Sequence, residues 1–412
     1  MLNKNGEREL CYVVEVNGIE ELPGYDRVES ALIGGWRCIV PKGQFKAGDP
    51  AIYFEIDSHV PSDRECFAFL EKRNYKVKSI KMCKSISQGL LMHAEDFGWT
   101  VCDRWTALDM EPNIAIKDDK GVVHNIRDES RFLTKQLGVT YADAEDNVRK
   151  APSVDKYKQM AQQRPNIFKK PWARWMMKRE WGRKVMFALF GKKKDKKNGW
   201  PAWVQKTDEE RIQNMPWILN DEDSWIASEK IDGSSTTFTM KRGKRGKKEF
   251  YVCSRNVCFD SVDKPCYYDT NIYWEMAEKY KMFDVLSNLL DRIPSAEWVT
   301  IQGETYGAGV QRRDYSLEGH DFAAFNLITS NRGRWNSCNM KDLLEGAYGV
   351  PCVPIIDSVF YFNGMSVDDI LQYAEGNSVI DGKPREGIVF RSKDGTKSFK
   401  AVSNSFLLKY HG

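Results

Sequence analysis

Trp225-Ile226-Ala227-Ser228-Glu229-Lys230-Ile231-Asp232-Gly233-Ser234-Ser235 runs an apolar strand straight into a turn that opens on a lysine. Gly233 lets the backbone bend, and Asp232 sets a carboxylate two residues from an amine. A lysine attacks phosphorus only when partly deprotonated, which needs a neighbouring cation or metal to lower its pKa. The same few residues also fit an ordinary surface Lys-x-Asp-Gly turn, so the chain around them has to decide.

Working outward, strands are expected at Ser234–Met240 and Phe250–Cys253, joined by the basic turn Lys241–Lys248. The apolar spacing of Met276, Tyr280, Phe283, Leu286 and Leu290 predicts one helix over Tyr273–Leu290, stopping before Pro294. Further strands are expected at Trp298–Ile301, Phe322–Ile328, Ile355–Tyr361, Gly387–Phe390 and Ser398–Val402. This order describes an α+β domain with antiparallel sheets. Chemistry-bearing residues recur along it. Ser254-Arg255-Asn256 lies 25 positions beyond Lys230, and Gln302-Gly303-Glu304-Thr305-Tyr306-Gly307 places an acid in a glycine-rich stretch running on to Gln311. Phe325 centres an apolar strand, Glu386 precedes another, and Lys400 follows Glu386 by 14 positions.

The first hundred or so residues read as β. Cys11–Val16, Trp36–Val40, Ala51–Ile56, Tyr75–Met82 and Gly89–His93 are short apolar runs broken by Gly and Pro turns, which suits a small OB-like barrel. From about residue 111 the periodicity fades, and Arg164–Lys197 then carries thirteen Lys or Arg against only Glu180 and Asp195, interleaved with Phe168, Trp172, Trp175, Trp181 and Phe187. Such a stretch suits either a nucleic-acid surface or a helix clasping two domains. The expected domains are therefore a barrel over 1–110, a linker or insert over 111–199, and a catalytic domain over 200–412.

Bulk properties narrow the class. A net charge of +4 neither demands nor excludes nucleic acid. The ten cysteines form no C-x-x-C pair, and Cys253, Cys258 and Cys266 have no His near them, so reduced thiols are expected rather than a zinc site. The polar start Met1–Leu10 is no signal peptide, and apolar runs such as Val185–Phe190 are too short to span a bilayer. A cytoplasmic protein without membrane partners is expected, acting as a monomer.

Taken in order, Lys230-Ile231-Asp232-Gly233, Arg255, Glu304, Phe325, Glu386-Gly387 and Lys400 resemble the covalent nucleotidyltransferases: RNA ligases, DNA ligases and capping enzymes. The resemblance implies an ATP-grasp-like antiparallel catalytic domain in which Lys230 takes AMP from ATP. It implies that Glu304 and Glu386 hold hydrated Mg²⁺ or Mn²⁺, with Asp232 either sharing the metal or binding ribose. Lys400 would neutralise the α-phosphate, Arg255 orient phosphate or ribose, and Phe325 stack on adenine. Glu229 and Gln311 join them as nucleotide-binding candidates.

Only twelve residues follow Lys400, which leaves no room there for the barrel that DNA ligases and capping enzymes carry. Position 235, where DNA ligases tend to have Arg, is Ser. More narrowly, Gly35–Pro61, Ile86–Leu91 and Lys206-Thr207-Asp208-Glu209-Glu210-Arg211-Ile212-Gln213-Asn214 resemble the Naegleria-type RNA ligases with an N-terminal OB domain. That implies joining of RNA 3′-hydroxyl and 5′-phosphate ends, with nicks in a duplex among the candidate substrates, and Lys206 and Arg211 meeting ATP phosphates or the RNA end. Thr207 and Glu210 also form the pattern of a helix capping box. A DNA ligase, a capping-type enzyme and a non-catalytic RNA-binding relative are the alternatives. One departure stands out: Lys400-Ala401-Val402 lacks the second lysine common in related enzymes, for which Lys397 or Lys409 are the candidate substitutes.

Overall fold

The computed structural model describes residues 1–102, 114–141, 170–179, 186, 200–206, 208–259, 261–262, 266–268 and 270–411. Residues Met1–Tyr141 and Pro201–Gly412 form one compact unit and Ala142–Trp200 a second. Most of the basic aromatic segment, together with Thr207, lies outside the described residues. Within the segment the helix Pro171–Met177 is described, and the Arg179 guanidinium lies 3.8 Å from the centre of the Trp175 ring.

In the N-terminal half, β1 (Cys11–Glu15), β2 (Gly18–Glu21), β3 (Val28–Ile33), β4 (Trp36–Pro41), β5 (Pro50–Phe54) and β6 (Leu90–Met92) make two antiparallel sheets, ordered β1-β5-β6 and β2-β3-β4. They enclose one core of Tyr12, Val14, Trp36, Val40, Phe45, Tyr53 and Leu91. The opposite faces of β1 and β5 are buried too. Cys11, Val13, Ile52 and Phe54 pack with Phe67, Trp99, Ile116, Leu133 and Leu137. Strands covered on both sides need apolar residues at every position, which is why these two read as continuous runs rather than alternating ones. Within the stretch expected as linker or insert, Ile116, Leu133, Leu137 and Val139 supply a wall of this second core, and residues up to Tyr141 belong to the same compact unit.

The C-terminal half is built on two antiparallel sheets. β7 (Trp225–Lys230), β12 (Ile355–Phe360), β13 (Gly387–Ser392) and β14 (Ser398–Val402) are ordered β12-β7-β13-β14. β8 (Ser234–Arg242), β9 (Lys248–Cys253), β10 (Trp298–Gly307) and β11 (His320–Thr329) are ordered β9-β8-β10-β11, with short strands Cys258–Phe259 and Gly333–Arg334 at the edges. Helices α1 (Ile272–Lys279), α2 (Met282–Arg292) and α3 (Ser337–Tyr348) cover the outer face of the larger sheet. α4 (Val367–Ala374) covers the smaller one, starting from a capping box between Ser366 and Asp369.

The single helix expected over Tyr273–Leu290 is two. Lys281 takes φ +50°, a left-handed conformation that ends α1 and starts α2, while the Tyr280 hydroxyl donates to Asp321. The break lets Tyr273 and Met276 reach the sheet on one axis and Val285, Leu286 and Leu289 on another. Among the described residues no helix is long and apolar enough to cross a membrane.

Candidate active site

The two sheets are joined by Ile231-Asp232-Gly233, so the chain leaves the smaller sheet at Lys230 and enters the larger at Ser234. Between them opens a cleft of about 370 Å³ whose wall includes Glu229, Lys230, Asp232, Arg255, Glu304, Gln311, Phe325, Glu386 and Lys400. Nine of the eleven expected site residues thus share one cavity. The other two do not line it: Lys206 donates to Asn256 Oδ1 at 2.7 Å, and Arg211 packs 5.7 Å from the centre of the Trp36 ring of the barrel. Arg211 stays tied to the site through the backbone, by a bridge to Lys400.

Strand register explains the convergence. Lys230 pairs with Gly387 on β13, which brings Glu386 beside it, and Lys230 Nζ meets Glu386 Oε1 at 2.8 Å. Val389 lies between Ser228 and Lys400, so Lys230 and Lys400 rise from the same face of the sheet one row apart. On the other sheet Ser235 pairs with Glu304, and Glu304 with Ala323. Gly233 is required by close approach: a Cβ there would sit 2.4 Å from Thr305 O and 2.8 Å from Glu304 Cγ. The turn is also held by the Tyr315 hydroxyl, which accepts the Asp232 N–H at 2.7 Å, and by Gln311, which donates to Gly233 O at 3.0 Å.

Phe325 reaches the cleft through a defect in the ladder. Gln302 pairs with Asn326, but the next residue, Gly303, pairs with Ala324, so Phe325 is the extra residue of a β-bulge. The bulge leaves Phe325 unpaired in the ladder, and its ring stands in the cleft wall while Ala324 and Leu327 pack into the core.

The electrostatics are those of crowded charge. Burial pushes the Glu304 carboxyl up, and Glu386 and Asp232 add to it against the pull of Lys230, taking it to about 8. Burial pulls the Lys230 ammonium down, but Glu386, Glu304 and Asp232 together outweigh it and hold its pKa above the ordinary lysine value. Lys400 is lowered, by burial first and by Arg211 and Lys230 next. Glu229 is raised by burial, although Val379 N donates to its Oε2 at 2.8 Å. Asp208 bridges the cations, with Oδ2 on Arg255 at 2.6 Å and Oδ1 on Lys400 at 3.3 Å, and they lower its pKa against the opposing effect of burial. Glu386 Oε2 is enclosed without a hydrogen-bond partner. Among the described residues, no three His, Cys, Asp or Glu side chains gather at direct metal-ligating geometry.

The missing second lysine is not replaced by the expected candidates. Lys397 is drawn away to Asp221 at 2.5 Å, and Lys409 packs on Tyr410; neither lines the cleft. The additional cation in the wall is Arg391, buried, paired with Glu209 at 3.0 Å and 5.7 Å from the centre of the Phe325 ring. It was hidden in an apparently apolar strand. The signal was the period of two: Ile388 and Phe390 face the core, while Val389 and Arg391 face the cleft.

Residues 223–411 match the sequence profile of the RNA ligase family. Over this stretch the chain is similar to RNA ligases. Residues 10–94 match an OB-fold domain, in agreement with the barrel expected in front of it. The whole fold is similar to that of Naegleria gruberi RNA ligase with PPi, at 24% identity and a TM-score of 0.62 over 98% of this chain and 99% of that one. The same figures hold for mutants of the Naegleria enzyme solved with AMP and Mn and with ATP and Mn. No curated protein matches the chain. The stretch similar to the RNA ligase family therefore has Lys230 at the crossing between its two sheets, and the stretch similar to an OB-fold domain precedes it.

Proposed function

We propose that this chain is an ATP-dependent RNA ligase that works through a lysyl-AMP intermediate on Lys230. The observation that carries the reading is Lys230 Nζ on Glu386 at 2.8 Å, in a cleft shared with Glu304, Asp232 and Lys400. In the first step Nζ attacks the α-phosphorus of ATP; a P–N bond forms and the bond to pyrophosphate breaks. The adenylyl group then passes to an RNA 5′-phosphate, and a 3′-hydroxyl attacks that activated end and releases AMP.

Phe325 offers a face for adenine, with Glu229 and Gln311 in the wall of the same cleft. Lys400, Arg255 and Arg391 offer positive charge to the phosphates. Asp208, already bridging Lys400 and Arg255, occupies the place of an anion that the nucleotide phosphate displaces. A divalent cation fits the acidic side of the cleft. The rise of Glu304 to about 8 and the unpartnered Glu386 Oε2 both mark a deficit of positive charge there. Since the carboxylates are not drawn into one direct ligand set, Glu304, Glu386 and Asp232 would hold a hydrated Mg²⁺ or Mn²⁺, which supplies charge neutralisation at the phosphate. Neutralising those acids also removes what holds Lys230 protonated. Naegleria gruberi RNA ligase, the fold relative, has been solved with ATP and Mn.

The test is incubation with α-labelled ATP and Mg²⁺, then with nicked duplexes carrying RNA or DNA at the 3′-hydroxyl. The expected result is an acid-stable, Lys230-dependent label that is discharged onto RNA ends. Absence of label overturns the reading, and sealing confined to all-DNA nicks reassigns the chain as a DNA ligase.

A further inference from the structure

The hairpin between β8 and β9 is Arg242-Gly243-Lys244-Arg245-Gly246-Lys247-Lys248, and its five cations have different fates. Arg242 turns back onto the end of α2, donating from Nε to Ala296 O at 2.9 Å and from Nη2 to the Leu290 and Ile293 carbonyls. Lys248 pairs with Asp291 at 2.5 Å and donates to Ser287. These two bolt the base of the hairpin to α2. Lys244, Arg245 and Lys247 are left at the tip, all exposed and none in an ion pair with a described residue. Three like charges within four residues repel one another, so the fold gains nothing from them. An outside polyanion is the partner that would.

The sheet connects this tip to the cleft. Along β8, Ser235, Thr237, Thr239 and Lys241 share a face, with Ser235 in the cleft wall and Lys241 at the far end. The intervening stretch is lined by cations: Arg255 at the cleft, then Lys206 on the neighbouring Asn256, then Lys241 with Nζ 4.6 Å from the centre of the Trp203 ring. Nine residues of strand span about 26 Å at ~3.3 Å per step. That is about eight phosphates along one strand of a duplex, at ~3.4 Å each.

We infer that Lys244, Arg245 and Lys247 form a sequence-independent clamp on the sugar–phosphate backbone of a duplex whose break lies in the Lys230 cleft, touching it about eight phosphates away. The position of the break rests on the ligase reading; the clamp itself does not.

The experiment compares the full chain with a variant carrying Lys244→Ala, Arg245→Ala and Lys247→Ala. Binding is measured to a nicked duplex with arms of about twelve base pairs, long enough to pass the tip, both proteins also bearing Lys230→Ala to prevent turnover. Affinity is expected to fall about 10-fold near 0.15 M salt, and the slope of log affinity against log salt to shrink by about 2–3. Trimming one arm to about four base pairs should abolish the difference, while trimming the other leaves it. Label transfer from ATP, with Lys230 intact, should be unchanged. Equal affinity and slope for both proteins overturn the clamp, as does a defect that persists in the charge-preserving set Lys244→Arg, Arg245→Lys and Lys247→Arg. Hairpin-dependent capture by phosphatidylserine vesicles without hairpin-dependent duplex affinity overturns it too. Failure of the ligase reading looks different: no label in the parent chain, with the duplex binding intact.

Discussion

Asp118 in the N-terminal half and Glu304 in the cleft are carboxylates held under opposite conditions. Asp118 is 7% exposed, yet its oxygens accept the N–H groups of Lys120 at 2.9 Å and Val122 at 2.8 Å and the Gln136 side chain at 2.6 Å, with His124 at 3.3 Å. Burial alone would raise its pKa; those hydrogen bonds outweigh burial and take it down to about 2. Glu304 is pushed the other way, to about 8, by burial and by the acids facing it. The difference separates two uses of an interior charge. A fully satisfied acid pins a loop, whereas acids crowded together are a strain retained for a ligand that supplies the missing positive charge.

The widest separation should appear in catalysis. Lys230→Ala removes the nucleophile and should lower adenylyl-enzyme formation by at least about 10³-fold, read as acid-stable label. Glu304→Gln keeps the shape but loses the charge, for an expected loss of roughly 10²–10³-fold. Asp118→Asn should stay within about 3-fold of the parent. If Asp118→Asn lost as much label as Glu304→Gln while remaining folded, the division between satisfied and strained acids would collapse.

A smaller effect tests the apolar side of the cleft. Phe325→Ala should raise the KM for ATP about 10-fold, with much less change in kcat, because stacking on adenine acts in ground and transition states alike. An unchanged KM would return Phe325 to the role of a core ring and leave the bulge without a function.

How much of this was legible beforehand follows from the same physics. Lys230, Glu304 and Glu386 stand out in the sequence because each sits at a strand end or beside a glycine, whereas Lys400, in mid-strand, stands out only by its place in the order of motifs. Arg391 does not, because a cation between Phe390 and Ser392 gives no turn signal and its face is set by register with Ser228 and Lys400. Asp208 sits in a stretch that reads as a capping box, yet its carboxylate bridges Arg255 and Lys400. Residues 115–141 read as linker because only scattered apolar side chains there, such as Ile116 and Leu133, reach a core formed elsewhere. Long-range pairing decides all three.

Stability gives a moderate effect that reverses the ranking seen in catalysis. Asp118→Asn removes a charged acceptor from a buried cluster and should lower Tm by roughly 3–6 °C, while Lys400→Met, which removes a buried cation from a strained group, should lower label formation but not Tm. Thermal unfolding beside the label assay separates the two.

The smallest expected effect is the most discriminating. Glu304 has a folded-state pKa raised from 4.5 to about 8, so its penalty on the folded state is absent below about 4.5 and grows as pH rises toward 8. Asp118 is depressed from 3.8 to about 2, so its contribution is complete above about 3.8 and is lost only as pH falls toward 2. Glu304→Gln should therefore raise Tm by about 2–4 °C at pH 8 and by almost nothing at pH 4.5, whereas the loss in Asp118→Asn should be the same at both. Mg²⁺ should shrink the gain at pH 8, because an ion held by the parent's acids relieves the repulsion that the substitution removes. A gain independent of both pH and Mg²⁺ would mean that Glu304 is no more strained than Asp118, and that the crowding of acids around Lys230 is packing rather than poise.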